Sequence, residues 1–161
     1  MSTVNTISRA YKFHEFKFFT GTISYYQSGT AYSPSFNAQE ITIPPQVRTI
    51  KNVGIGNGNT RKIIINEGMR RMESGARGTI CILLDVSSTV IEFSPYVGYG
   101  LKNLTVIMRS LIPPSKISTT YENQFTPVAI YVPDESFDDY YNSSEWAKWK
   151  AKFKPLSEYT G

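Results

Sequence analysis

Very few side chains in this sequence are suited to acid–base, nucleophilic or metal chemistry. The 161 residues include one histidine, His14, and one cysteine, Cys81. A catalytic histidine needs a second group to orient it, and a zinc site needs more ligands than these two residues supply. Cys81 lies in an apolar run with no basic neighbour to lower its pKa, so we expect it to be a small core residue. We therefore expect no enzyme activity, no catalytic residues, no metal site and no cofactor.

One glycine-rich segment invites comparison with phosphate-binding loops. Residues 54–62 read Gly-Ile-Gly-Asn-Gly-Asn-Thr-Arg-Lys, but a phosphate-binding loop leads into a helix. Here the apolar run 63–65 follows, which is typical of a strand. Asn57-Gly58 supplies the positive φ angles of a tight turn. We therefore predict a β-hairpin that joins strands at 47–53 and 61–65.

The elements around these residues are predicted to be mainly strands. Short alternating or β-branched runs are separated by Gly, Pro and Ser, and no repeat of fixed period is evident. We predict a mostly β fold, a single antiparallel β-sandwich with a jelly roll as first candidate. The predicted strands, apart from the two of the hairpin, lie at residues 11–19, 41–43, 79–84, 89–93, 104–108 and 126–132, and the run 79–84 is expected to be buried on both faces.

A short segment carries a resemblance that supports this fold. Residues 36–50 read Phe-Asn-Ala-Gln-Glu-Ile-Thr-Ile-Pro-Pro-Gln-Val-Arg-Thr-Ile, a strand, prolines, a short turn and then Val-x-x-Ile. This arrangement resembles the opening segment of fibre-type and surface β-sandwich modules of phages and bacteria. The glycine usual after the proline is Gln46 here. The resemblance implies a sandwich.

The carboxyl-terminal part differs from the rest and is predicted to hold the one helix. Asn142 and Glu145 fit a capping box, and Pro155 would end the helix. Trp146, Trp149 and Phe153 then share one helical face. That face either packs across the open end of its own sandwich or docks as an arm on a neighbouring subunit. We predict two regions, a β-sandwich domain at 1–132 and an acidic linker with an amphipathic helix or arm at 133–161.

Charge is unevenly distributed along the chain. The net charge of +4 combines a basic body with an acidic carboxyl-terminal part, and residues 48–77 contain seven basic and two acidic residues. Such a segment is either a solvated strand face or a basic surface that contacts nucleic acid. Nucleic acid is thus a further candidate partner. No apolar run has the length needed to span a bilayer, so no membrane association is expected.

Candidate contact residues lie in two places. The stretch 18–39 has no charged residue and is rich in Tyr, Ser and Gly. Tyrosine is enriched at protein interfaces because it combines a large apolar ring with a polar tip. The predicted interface residues are Tyr25, Tyr26, Tyr32, Trp146, Trp149 and Phe153.

These observations favour a self-assembling structural protein over an enzyme. We expect a shell, vertex, tail or fibre component of a virus or phage particle, made in the host cytoplasm and located in the virion. Its partners would be copies of itself, as a homo-oligomer, and other particle proteins. The alternative is a carbohydrate-binding β-sandwich module, in which exposed Trp or Tyr rings would stack on sugar rings.

Overall fold

A computed structural model gives the fold of the chain. It describes residues 6–7, 21–24, 40–43, 45, 47–51, 55, 58, 60–76 and 79–161. Twelve strands lie in these ranges, in chain order β1 (Thr6–Ile7), β2 (Gly21–Ser24), β3 (Glu40–Ile43), β4 (Val47–Lys51), β5 (Lys62–Ile65), β6 (Arg71–Met72), β7 (Leu83–Val86), β8 (Glu92–Phe93), β9 (Thr105–Met108), β10 (Ser115–Lys116), β11 (Ala129–Val132) and β12 (Phe153–Pro155).

The strands form two sheets in which the described pairings are all parallel. Sheet A has the order β1-β2-β4-β6-β8-β10, and sheet B has the order β3-β5-β7-β9-β11-β12. From β2 to β11 the chain therefore alternates between the sheets, and each strand pairs with the strand two places along the sequence. A chain that returns in this way to lie beside its own previous turn is a solenoid built of stacked coils.

The register sets the length of each coil. Ile41 lies beside Ile63, Ile63 beside Leu84, and Leu84 beside Val106. Each of these steps advances the chain by about 22 residues, a period typical of solenoid repeats. The next step, from Val106 to Ile130, is slightly longer. The shared feature is an apolar residue at every second position in each strand of sheet B, repeated once per coil.

Both sheets turn one side toward a single apolar core. Strands of sheet B show the alternating burial expected when one face is covered. Aliphatic side chains from successive coils thus stack in rows inside the solenoid. The core-facing residues are Ile41, Ile43, Ile63, Ile65, Leu84, Val86, Val106, Met108, Ile130 and Val132 from sheet B, with Val47, Ile50, Met72 and Phe93 from sheet A.

The corners that join sheet B to sheet A also stack on one another. Gly68 has φ +112°, and a Cβ there would collide with the carbonyl oxygen of Pro45 in the preceding corner. The Gly68 N–H donates to Thr89 Oγ1 in the following corner at 2.8 Å. The Thr89 hydroxyl in turn donates to the Met69 carbonyl at 2.8 Å. Glycine is needed here because the corner takes a left-handed conformation in close contact with its neighbour.

Short helices occupy several connections and the carboxyl-terminal segment. The α-helix α1 spans Phe137–Asn142. The 3₁₀ helices among the described residues span Pro95–Gly98, Glu122–Gln124, Asp134–Ser136, Ala147–Lys152 and Leu156–Glu158.

Three aromatic residues of the carboxyl-terminal segment close the end of the solenoid. The Tyr140 hydroxyl donates to the Ser110 carbonyl at 2.9 Å. The Trp146 and Trp149 indole N–H groups donate to the carbonyls of Pro114 and Phe125, each at 2.8 Å. Each ring is buried, so each polar tip satisfies a carbonyl that would otherwise be buried without a partner. We call this segment, residues 137–153, the aromatic cap.

Lys116 fastens the aromatic cap to the last coil. Its ammonium donates to the Glu145 carbonyl at 2.8 Å and pairs with the Glu122 carboxylate. Its backbone N–H donates to the Glu145 side chain. The ammonium also lies 5.9 Å from the centre of the Trp149 ring. The ammonium and the Glu122 carboxylate are largely shielded from water, which strengthens their attraction.

The predicted antiparallel sandwich of jelly-roll type is wrong. Strands β4 and β5 belong to different sheets and do not form a hairpin across Gly58. The alternating apolar residues correctly indicated strands. The same alternation occurs in a β-hairpin and in a solenoid coil, and the Asn57-Gly58 turn signal led to the wrong choice between the two. The expected absence of a repeat was also wrong, since the coils recur at about 22 residues.

The bounds of one predicted strand and of the predicted carboxyl-terminal helix also differ from the structure. The strand predicted at 79–84 begins only at Leu83, and Ile80 and Ile82 are exposed. The predicted carboxyl-terminal helix is a 3₁₀ helix at 147–152, and Phe153 already belongs to β12. β12 pairs with β11, so hydrogen bonds cross the predicted domain boundary at 132/133.

Replacement of Trp149 tests the aromatic cap. Trp149→Ala should lower the free energy of unfolding by about 3–5 kcal/mol because a large buried ring is lost. Trp149→Phe should cost about 1–3 kcal/mol because the Phe125 carbonyl loses its donor while most of the ring volume remains. Urea denaturation followed by circular dichroism measures both. A loss below about 0.5 kcal/mol for both variants, the range of ordinary surface substitutions, would contradict the cap.

Deletion of residues 143–161 tests whether the aromatic cap is required for folding. We expect the truncated chain to lose cooperative unfolding and to bind a hydrophobic dye, because the end of the core is uncovered. Deletion of residues 160–161 alone is the control and should leave unfolding unchanged. A truncated chain that folds as a stable monomer would instead support the predicted intersubunit arm.

Candidate binding surfaces

The outer face of sheet B is a regular surface of aligned side chains. Side chains at the positions that alternate with the core residues point away from the core. The register aligns them across the strands in two rows. One row contains Thr42, Ile64, Asp85, Ile107, Tyr131 and Lys154, and the other contains Glu40, Lys62, Leu83, Thr105 and Ala129. We call these two rows, together with Arg109 directly after β9, the outer face.

Two ion pairs cross the strands of the outer face. Lys62 Nζ lies 3.2 Å from the Glu40 carboxylate. The Nε and Nη2 groups of Arg109 donate to the two carboxylate oxygens of Asp85 at 2.6 and 2.8 Å. These hydrogen bonds raise the pKa of Arg109, so the guanidinium stays charged. This two-point contact fixes the orientation of the long Arg109 side chain.

The carboxyl-terminal tail lies along one end of the outer face. The ring of Tyr159 lies 5.0 Å from that of Tyr131, edge to face. The Ser157 N–H donates to the Asp134 carboxylate at 3.0 Å, and hydrogen bonds from the side chain and backbone of Ser157 lower the pKa of Asp134. Ile107 is buried although it lies outside the central core. The more open part of the outer face therefore runs from β3 to β7.

A second surface is a cluster of three tyrosines. The Tyr96 and Tyr121 ring centres are 4.3 Å apart, and Tyr99 lies 5.5 Å from Tyr96 and 5.6 Å from Tyr121. Tyr99 and Tyr121 are 39% and 37% exposed. Sequence reasoning missed this cluster, which we call the tyrosine cluster. The signal available in the sequence was the pair Tyr96 and Tyr99 beside Pro95, Gly98 and Gly100, which predicts a turn with both rings on one side.

The predicted interface residues divide into two groups. Tyr25, Tyr26 and Tyr32 lie outside the described residues. Trp146, Trp149 and Phe153 are brought together, but within the chain's own core. Trp146 packs on Phe93 with ring centres 5.7 Å apart, and Trp149 packs on Phe125 at 5.3 Å. Any further contact of these three side chains with another subunit stays a prediction.

Those basic residues of the segment 48–77 whose side chains the structure describes do not form one surface. Arg48 and Arg71 belong to sheet A, whereas Lys62 belongs to sheet B. Arg71 is held by Glu73 and Glu92, each at 2.7 Å. The solenoid therefore distributes this charge around its circumference, and contact with nucleic acid stays a prediction.

Cys81 and His14 are the two residues considered above for chemistry. Cys81 is confirmed as a core residue, 2% exposed, with its thiol donating to the Leu83 carbonyl at 3.1 Å. His14 lies outside the described residues. Within the described part of the chain, no three His, Cys, Asp or Glu side chains group as a metal would require. No helix in that part has the length and apolarity to cross a bilayer.

Comparison with known protein families, with curated proteins and with solved structures found no match.

Burial of Cys81 leads to a prediction about its reactivity. Desolvation raises the pKa of the thiol to about 11, so little thiolate forms at pH 8. We expect Ellman's reagent to label the native protein far more slowly than the urea-unfolded protein, in which the pKa returns toward its ordinary value. Equal labelling rates in the two states would contradict the assignment to the core.

Proposed function

We propose that the protein is a non-catalytic structural protein that works by binding other proteins through the outer face. The supporting observation is the alignment of strands β3, β5, β7, β9 and β11, which places side chains from separate parts of the sequence in continuous rows. Solenoids commonly use such extended surfaces for binding because successive coils hold the side chains at fixed spacing.

The composition of the outer face suits a protein contact. Ile64 and Leu83 are half-buried aliphatic residues in neighbouring strands. The Arg109–Asp85 pair and Tyr131 lie further along the sheet. Arginine and tyrosine beside aliphatic groups are typical of the residues that dominate interface energetics. Because the strands fix the backbone and the ion pairs fix the charged groups, little order would have to be gained on binding.

A second copy of this chain is the first candidate partner. The outer face carries both signs of charge, Glu40 and Asp85 beside Lys62 and Arg109, so two copies can face each other without strong like-charge repulsion. End-to-end addition of strands is disfavoured at β12, where Pro155 cannot donate to a further strand and Lys154 is exposed. Association through the faces fits this arrangement better than growth of a fibre from that end.

Within this proposal, a virus or phage particle is the setting that we infer from the sequence. Its support is the chain composition, above all the uncharged, tyrosine-rich stretch 18–39. A shell, tail or fibre component needs stable lateral contacts between copies, which a rigid solenoid face is suited to make.

Leu83→Lys tests the outer face. Size-exclusion chromatography with light scattering should give an oligomer for the natural sequence at tens of micromolar, by order of magnitude for specific interfaces. Leu83→Lys should shift the mass to that of a monomer, because an unpaired ammonium would be placed in the contact. Both chains should keep the same circular dichroism.

Ile112→Lys is the matched control for that variant. Ile112 is 78% exposed and lies in the connection after β9 rather than on the outer face. We expect it to leave the oligomer intact. A natural chain that remains a monomer at this concentration would overturn association between copies, and equal loss in both variants would overturn the assignment to the outer face.

A further inference from the structure

The tyrosine cluster lies on two adjoining turns rather than on the outer face. Tyr96 and Tyr99 belong to or follow the 3₁₀ helix Pro95–Gly98, and Tyr121 directly precedes the 3₁₀ helix Glu122–Gln124. The Gly100 N–H donates to the Gln124 carbonyl at 3.2 Å and so joins the two turns. The Tyr99 and Tyr121 rings are perpendicular, at 89°. Two exposed aromatic rings thus meet at a right angle.

The turns that carry these rings are held firmly. Ser94 caps its turn by accepting a hydrogen bond from the Tyr96 N–H at 3.2 Å. Gly98 packs so closely that a Cβ would lie 2.8 Å from Leu104 and from the Phe125 ring. Phe125 in turn packs on Trp149 of the aromatic cap. The tyrosine rings are therefore fixed relative to the core before any ligand arrives, which lowers the entropic cost of binding.

The surroundings of the tyrosine cluster are polar. The exposed neighbours in sequence carry amides, hydroxyls and ammonium groups, and Lys148 donates to the side chain of Asn123. The exposed polar neighbours on these turns are Lys102, Asn103, Thr119, Thr120, Asn123 and Gln124.

We propose that Tyr96, Tyr99 and Tyr121 form a saccharide-binding site. The face of an aromatic ring is negative, and the axial C–H groups of a pyranose are weakly positive, so the two surfaces attract when stacked. A sugar with all its substituents equatorial offers such a C–H face on each side. The neighbouring amides and hydroxyls can then bond the equatorial hydroxyls. The chemical class is a β-1,4-linked, gluco-configured oligosaccharide, and this site is independent of the proposed association through the outer face.

The close contact of Tyr96 with Tyr121, whose rings are tilted by 32°, favours a saccharide over single-stranded nucleic acid. Tyr96 and Tyr121 already cover one face of each other at 4.3 Å, so a base cannot insert between them. Binding of a nucleic acid strand also needs a basic groove along its backbone. Near the tyrosine cluster, Lys148 is bonded to Asn123 and Lys116 to Glu122, and the exposed Lys102 alone does not make such a groove. A neutral ligand fits these surroundings better than a polyanion.

Isothermal titration calorimetry with cellotetraose and chitotetraose tests the proposal on the full chain. We expect at least one of them to bind with a Kd of roughly 0.1–1 mM, a weak affinity suited to a small exposed site. Tyr99→Ala and Tyr121→Ala should each weaken binding at least tenfold. Tyr99→Phe should keep it within about threefold, because the ring remains and only the hydroxyl is lost.

Tyr141→Ala is the matched control. Tyr141 is also 39% exposed and stacks on Phe137; it lies on α1 in the aromatic cap, outside the tyrosine cluster and without a ring contact to it among the described residues. It should bind like the natural chain, and urea denaturation should show that every variant remains folded. Failure of both saccharides at millimolar concentration would overturn the proposal. Equal losses in Tyr99→Phe and Tyr99→Ala would also overturn it, as would binding of oligo-dT in place of the saccharides.

Discussion

Coverage of the last coil by the aromatic cap is the interaction on which the rest of the solenoid depends. A stack of coils buries its apolar rows along its length, but at each end the core meets water. Here the chain covers one end with large rings, and Tyr140, Trp146 and Trp149 each donate to a carbonyl of the last coil. Apolar burial and hydrogen bonding are thus satisfied by the same three side chains.

The two candidate surfaces depend on that closure in different ways. The tyrosine cluster rests on it directly, through Gly98 and Phe125 to Trp149. The outer face depends on it through β11 and β12, which pair beside the tail. A change that loosens the cap would therefore disturb both surfaces at once. A variant that loses binding at either surface therefore identifies a contact residue only when its free energy of unfolding equals that of the natural chain.

The sequence predicted the local conformation of many segments and failed on how they pair. The strands β3, β4, β5 and β9 were all predicted within about two residues of their observed bounds, because alternation of apolar residues indicates one covered face. The pairing partner was not found, since alternation is identical in parallel and antiparallel sheets. Successive coils share only an apolar–x–apolar pattern, and their lengths differ slightly, which weakens any search by residue identity. Burial of Cys81 followed from its type and setting, whereas the tyrosine cluster arises from turns one coil apart that only the fold brings together.

The position of the aromatic cap also determines where this protein can change its length. All of the cap's described ring contacts and carbonyl partners on the solenoid lie between Phe93 and Phe125. A whole coil added or removed before β7 would therefore leave the closing structure untouched and would shift the outer face by one strand spacing, about 4.8 Å. The same change after β8 would separate the cap from its carbonyls. The molecule thus has a modular part and a fixed part, and descendants with more or fewer coils would be expected to differ upstream while keeping the same carboxyl-terminal part from β7 onward.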